Sequence, residues 1–167
     1  PPVGQLVVGL AVEAGGLNNT TPGVDPSGDA LVNATDPDGD PLTVTLIQPE
    51  FGAVAVVNVG GTTVVGLYGT LTIAPDGSYS YAVNNDNVDV QALRTNSDLL
   101  FERFIFTISD NVPGATETDT AQIIVLIRGR NDTPVAANDT ADAIEAGGLN
   151  NNRPGQDPTG NVLDNDT

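Results

Sequence analysis

The sequence predicts an all-β fold, a Greek-key β-sandwich carried in tandem, and three observations support that expectation. Turns bearing Gly and Pro cut the chain into short segments rich in Val, Ile, Thr, Tyr and Phe, with no long Glu/Lys helix pattern. The clearest segments alternate apolar and polar residues with the strand period of two. Finally, Glu13-Ala-Gly-Gly-Leu-Asn-Asn-Thr-Thr-Pro-Gly-Val-Asp-Pro-Ser-Gly28 returns as Glu145-Ala-Gly-Gly-Leu-Asn-Asn-Asn-Arg-Pro-Gly-Gln-Asp-Pro-Thr-Gly160, an ungapped offset of 132 (145 less 13). The match reaches back to Pro2-Val3 against Pro134-Val135 and forward to Leu31, Asn33 and Thr35 against Leu163, Asn165 and Thr167.

A period of that length is a whole domain rather than a solenoid turn. Residues 1–131 are expected to form one complete sandwich with its C-terminal linker, and residues 132–167 the N-terminal part of a second, truncated repeat. A chain that opens on Pro and contains no Met is expected to be an internal piece of a longer array, with any targeting signal outside it.

Taken in order, residues 2–12 read as a first strand. A Gly/Asn/Pro-rich connection over 13–28 leads to a strand over 30–35, and an acidic turn over 36–40 opens onto a strand over 42–48. Residues 51–59 and 62–67 flank Gly60-Gly61 and are expected to form an inserted hairpin. Strands over 69–74 and 78–83 are joined by Pro75-Asp76-Gly77, a turn with Gly available for a positive φ.

The polar stretch over 84–100 is expected to hold a short helical turn at 88–93. Residues 101–109 alternate strictly, with Phe104, Phe106 and Ile108 on one face and Arg103 and Thr107 on the other. Residues 116–128 make the last strand, and 129–134 the linker. Seven or more strands at this spacing indicate a sandwich of immunoglobulin type; without Cys or Trp it is only Ig-like. Tyr68, Tyr79, Tyr81, Phe104 and Phe106 share phase with Leu71, Ile73 and Ile108, so they are expected to pack between the sheets rather than stack sugars.

Charge narrows the function. There are 22 acids against five basic residues, all Arg, for a net charge of −17. Phosphates would repel such a surface, which argues against nucleic acid as a partner. The longest apolar runs are far too short to span a bilayer, so no membrane insertion is expected. A chain that repels itself gains from bound cations. The absence of Cys excludes disulfides and zinc-thiolate sites, and the absence of Lys excludes a lysine–asparagine isopeptide crosslink. A hard divalent ion with oxygen ligands is the staple that remains.

Asp36-Pro-Asp38-Gly-Asp40 places three carboxylates at alternate positions of one turn, and such a loop can wrap its oxygens around an ion of calcium's size. Three close carboxylates without a cation destabilise one another. The loop is not an EF-hand: counted from Asp36, the sixth position is Pro41 and the twelfth Ile47, where Gly and Glu belong. Antiparallel succession of strands puts the Asp loop and Asp110 at the pole where the chain enters. Glu13 then falls at the opposite pole, beside Asn131-Asp132. Each junction of an array would combine Glu13, Asn131 and Asp132 of one repeat with the Asp loop and Asp110 of the next.

Four runs carry a family resemblance. Asp36-Pro-Asp-Gly-Asp-Pro-Leu-Thr-Val44, Tyr68-Gly-Thr-Leu-Thr-Ile-Ala-Pro-Asp-Gly-Ser-Tyr-Ser-Tyr81, Phe104-Ile-Phe-Thr-Ile-Ser-Asp110 and Gly129-Arg-Asn-Asp-Thr-Pro134 resemble, in the same order, the VCBS and cadherin-like repeats of giant bacterial RTX adhesins. The resemblance spans nearly the whole chain. It implies an extracellular cadherin-like β-sandwich extender, calcium at domain junctions, type I secretion, and a role in surface attachment and biofilm. It also implies calcium ligands at Glu13, Asp36, Asp38, Asp110, Asn131 and Asp132. The chain departs from the pattern where Leu6-Val7 stand in place of the second copy's Asn138-Asp139, and in the inserted segment at 51–67.

Catalysis has little to work with. Without His, Cys or Lys there is no ordinary base for a Ser nucleophile and no Schiff-base amine. Carboxylate pairs abound, but they cluster at turns and no Trp is present to hold a sugar. The chain is read as a non-enzymatic spacer whose partners are neighbouring repeats, with cell-surface or glycan ligands engaged through other domains. Two alternatives stay open: a calcium-dependent glycan-binding module using residues 84–97 or 51–67, and a self-associating module that builds filaments through residues 135–167.

Overall fold

The computed structural model describes residues 1–114 and 116–166 and resolves two units, Pro1–Asp132 and Thr133–Thr167. In the first, β1 (Val7–Val12), β3 (Thr43–Pro49), β4 (Ala55–Val56), β8 (Leu99–Ser109) and β9 (Thr118–Arg128) form one sheet, ordered β1-β9-β8-β3-β4. The second sheet is ordered β2-β7-β6-β5, from β2 (Ser27–Asp29), β5 (Thr62–Val65), β6 (Gly69–Ile73) and β7 (Ser78–Val83). This is an all-β, Ig-like Greek-key sandwich of two sheets, as expected.

Its core follows from the alternation. Phe104, Phe106 and Ile108 on β8 and Ile123, Val125 and Ile127 on β9 are fully buried against Leu71, Ile73, Tyr79 and Tyr81 of the other sheet. Each large apolar side chain so buried contributes roughly 1.5–3 kcal/mol. The Tyr81 and Phe104 rings meet edge to face, centroids 6.0 Å apart. Glu102 shares their inward phase. Its Oε2 accepts the Tyr81 hydroxyl at 2.6 Å, while Oε1 accepts the N–H groups of Leu67 and Tyr68, tying the β5–β6 connection to β8. Burial, then the bond to Glu102, pushes the Tyr81 phenol well above its ordinary pKa.

The expected first strand is split. Val3 bridges Thr35, Gly4 donates to Asp119, and only Val7–Val12 joins the sheet, running parallel to β9. The strand expected at 30–35 lies earlier, at Ser27–Asp29. Asp29 Oδ1 accepts the Leu31 N–H at 2.7 Å, and that local bond competes with a strand ladder and starts a turn.

The segment at 51–67 is not a hairpin. β4 pairs with β3 in one sheet and β5 with β6 in the other, so the chain crosses the sandwich between them. Asn58 N–H bonds Thr62 Oγ1 at 3.0 Å, and Gly61, at φ +87°, donates to the Asn58 carbonyl at 2.8 Å. The crossing lets Val57 and Val64 bury from opposite sheets and close that edge, which a hairpin within one sheet would leave open. The helical turn is α1 (Val88–Gln91), capped by Asn87, whose side chain accepts from Asp89 and Val90. The remaining expected strands agree with the observed ones to within about two residues.

The second unit repeats a local conformation of the first. Ile144 bridges Gln156 and Gly147 bridges Arg153, as Val12 bridges Val24 and Gly15 bridges Thr21. Asn150 and Asn151 are left-handed, like Asn18 and Asn19. Thr167 lies outside the described residues.

Candidate metal centre

The seven candidate ligands fall into two groups at opposite ends of β8 and β9. At the leading pole, the Val3–Thr35 bridge fixes the start of the acidic turn. Asp36 organises the turn itself: its Oδ1 accepts the N–H of Asp38 at 2.8 Å and of Asp40 at 3.4 Å. Asp36, Asp38 and Asp40 each offer a carboxylate oxygen, all within 4.8 Å of one another. Asp36 Oδ2 is buried and has no hydrogen-bond partner.

Asp110 follows β8 and is nearly buried. Its Oδ1 accepts from Glu117 at 3.0 Å and Val112 at 3.2 Å. The Glu117 N–H above all, with help from the Val112 N–H and the chain's amino group, holds its carboxyl below the usual carboxylate range. The Pro1 ammonium pairs with Glu117 at 2.8 Å. Its pKa is raised first by that hydrogen bond, then by the charges of Glu117, Asp36 and Asp38.

At the trailing pole, β1 and β9 end together because they are parallel partners, Val12 beside Arg128. Glu13 is therefore delivered to the linker, with 0% of its surface exposed. Its Oε1 accepts the Arg130 N–H at 2.8 Å, while Oε2 is buried and unpartnered. Asp132 Oδ1 is likewise buried and unpartnered. The Arg130 guanidinium turns away to the Pro22 carbonyl at 2.7 Å and does not neutralise the pair. Asn131 bonds the Asp132 carbonyl through its side chain at 2.9 Å and accepts the Gly16 N–H at 3.2 Å on its own.

Glu13 has its carboxyl pushed up to about 7. Desolvation is the main cause; the Arg130 N–H opposes it, and the charges of Asp132 and Asp98 add to it. Asp98 has no place in the sequence motifs. Nothing in its spacing marks it, since its approach depends on the loop before β8, where Arg94 and Thr95 donate to its Oδ2. Glu102, a buried carboxylate outside both groups, was legible from its parity with Phe104 on β8.

Eleven strand residues separate Asp110 from the linker, roughly 35 Å at 3.3 Å per residue, so one ion cannot touch both groups in one sandwich. Each group is all-oxygen, and together they hold three buried carboxylate oxygens without partners. An uncompensated buried carboxylate costs several kcal/mol. Donors of this chemistry fit a hard divalent cation rather than a thiophilic one. Among the described residues, no helix is long and apolar enough to cross a membrane.

A family model described as a bacterial cadherin-like domain matches residues 1–129. A search of curated proteins found no matching relative.

Proposed function

Since this chain belongs to the bacterial cadherin-like domain family, we propose that it is a calcium-stiffened extender repeat of a secreted bacterial surface adhesin. Cadherin-like domains are structural and adhesion modules and are usually extracellular. The finer reading joins the VCBS and RTX resemblance to that membership: type I secretion, display at the cell surface, and support of adhesion and biofilm formation.

The observation that carries it is the set of orphaned buried oxygens, Glu13 Oε2 and Asp132 Oδ1 at the trailing pole and Asp36 Oδ2 at the leading pole. Glu13, Asn131 and Asp132 of one repeat, with Asp36, Asp38, Asp40 and Asp110 of the next, would hold the ion. Bound calcium supplies a charge that these oxygens share. The protein's own contribution is to fix the carboxylates: the Arg130 N–H holds Glu13, backbone N–H groups hold Asp36 and Asp110, and Asn131 holds the linker. Without a cation, acidic poles facing each other across a short linker repel and the joint bends freely. Extracellular calcium modules bind with dissociation constants of roughly 10⁻⁴–10⁻³ M, a range that external fluids saturate and cytosol does not.

The test is a chain of two full repeats carrying Asp36→Ala or Asp132→Ala. Each substitution should weaken calcium binding at least about tenfold by calorimetry and broaden the small-angle scattering distance distribution. Unchanged affinity and profile in both variants would refute the proposal.

A further inference from the structure

β1 pairs differently from the other strands. Among the described residues every other strand pair is antiparallel, whereas β1 lies parallel to β9 at the edge of the five-stranded sheet. The six pairs from Val7–Ile123 to Val12–Arg128 hold one register, an offset of 116 (123 less 7).

The two segments stay together beyond both ends of that ladder. Before β1, the Gly4 N–H donates to Asp119 Oδ2 at 2.8 Å. After it, the Glu13 N–H donates to the Arg128 carbonyl at 3.0 Å and the Gly16 N–H to the Asn131 carbonyl at 3.2 Å. Gly16 also bridges Asp132 in parallel, again at an offset of 116 (132 less 16). The entering segment, residues 4–16, thus lies along the leaving segment, residues 119–132, from one pole to the other.

Parallel pairing decides how this seam meets tension. It puts the two chain ends at opposite poles, so a pull on both runs along the strands and slides β1 past β9. Every bond of the seam then resists at once. An antiparallel pair would bring both ends to one pole, where the same pull opens the ladder bond by bond. In the sheet β1 pairs with β9 alone, while β9 is held on its other side by eleven pairs with β8. Tension therefore passes from β1 straight into β9.

Resting on the extender reading, in which neighbouring repeats pull each sandwich by its two ends, we infer that the β1–β9 seam is a shear clamp that carries tension along the array. Sliding breaks the seam within the few Å over which a hydrogen bond is lost. Peeling spreads the same work over roughly 40 Å, six residues from each strand at about 3.3 Å. The forces needed therefore differ by about tenfold. Only the trailing end of the seam includes the proposed calcium ligands Glu13, Asn131 and Asp132, so strength under tension is separable from calcium's effect on bending.

The chain has no Cys, so a pair of introduced thiols defines a pulling axis. In the 167-residue chain, P1C/T133C pulls along the seam and P1C/T118C pulls β1 away from the start of β9; all three positions are exposed. Residues 134–167 hang outside both tethers. In single-molecule stretching at one loading rate, the first rupture of P1C/T133C should need at least about threefold more force than that of P1C/T118C, in calcium and in chelator alike. The backbone gives a second comparison. The Val12 N–H donates outward to Val24 and the Glu13 N–H to Arg128, so by strand alternation the Gly9 N–H faces β9 and the Leu10 N–H faces away. G9P, which removes a seam donor, should lower the P1C/T133C force at least about twofold, and further than L10P does. If G9P does not fold, the two axes decide alone. Equal forces along both axes, a difference seen only with calcium, or equal effects of G9P and L10P would each overturn the clamp. Such a failure leaves the scattering response of two repeats to calcium standing, and a failed scattering response leaves the clamp standing.

Discussion

Glu13 is the residue at which the fold and the proposed function meet. It is held at the end of β1, with one oxygen bonded and the other buried alone. Its carboxyl is pushed up to about 7 from 4.5, chiefly by desolvation. In chelator, the folded chain therefore keeps a proton that the unfolded chain releases between about pH 4.5 and 7, and stability falls as pH rises through that window. At 1.36 kcal/mol per unit, the loss is at most about 3–4 kcal/mol. Glu13→Gln should flatten the melting-temperature profile there and raise it at pH 8. The groups held low, Asp98 and Asp110, act with the opposite sign and only at more acid pH. A second buried carboxylate gives a separate prediction. Tyr81→Phe removes the 2.6 Å bond to Glu102 and leaves a buried acceptor under-satisfied, at a cost of about 1–3 kcal/mol in denaturant unfolding.

At the scale of elements, the turn between β6 and β7 is tightly specified. Gly77 has φ +87°, and a Cβ there would stand 2.8 Å from the Leu31 side chain and 3.1 Å from its backbone nitrogen. Gly77→Ala should cost roughly 1–3 kcal/mol by the same unfolding measurement. That turn and the strands it joins were legible in the sequence because Gly and strict alternation are local signals, and the buried Phe104, Phe106 and Ile108 follow from the same alternation. The passage from β4 to β5 was not legible. Gly60-Gly61 between two apolar runs suits a hairpin and a sheet crossing equally, and the choice is made by the partners, β3 and β6, far along the chain. The acidic turn could be read directly, since alternate Asp residues in one turn must crowd their carboxylates. The meeting of Glu13 with Asp132 is non-local and comes from the parallel pairing of β1 with β9. The approach of Asp98 has no sequence signal at all.

At the scale of the whole molecule, acid is distributed with a pattern. Carboxylates crowd the two ends of the sandwich, and among the described residues none stands at an outward position of β1, β8 or β9. With a net charge of −17, a chelated array should be most flexible at low ionic strength and gain most from divalent ions there. The most direct measurement is small-angle scattering of two full repeats through a calcium titration, with melting followed in the same samples. Shared ligation at the joint predicts a longer maximum dimension, a narrower distance distribution and a higher melting temperature on saturation, all reversed by chelator. A length and a melting temperature that both ignore calcium would contradict the account.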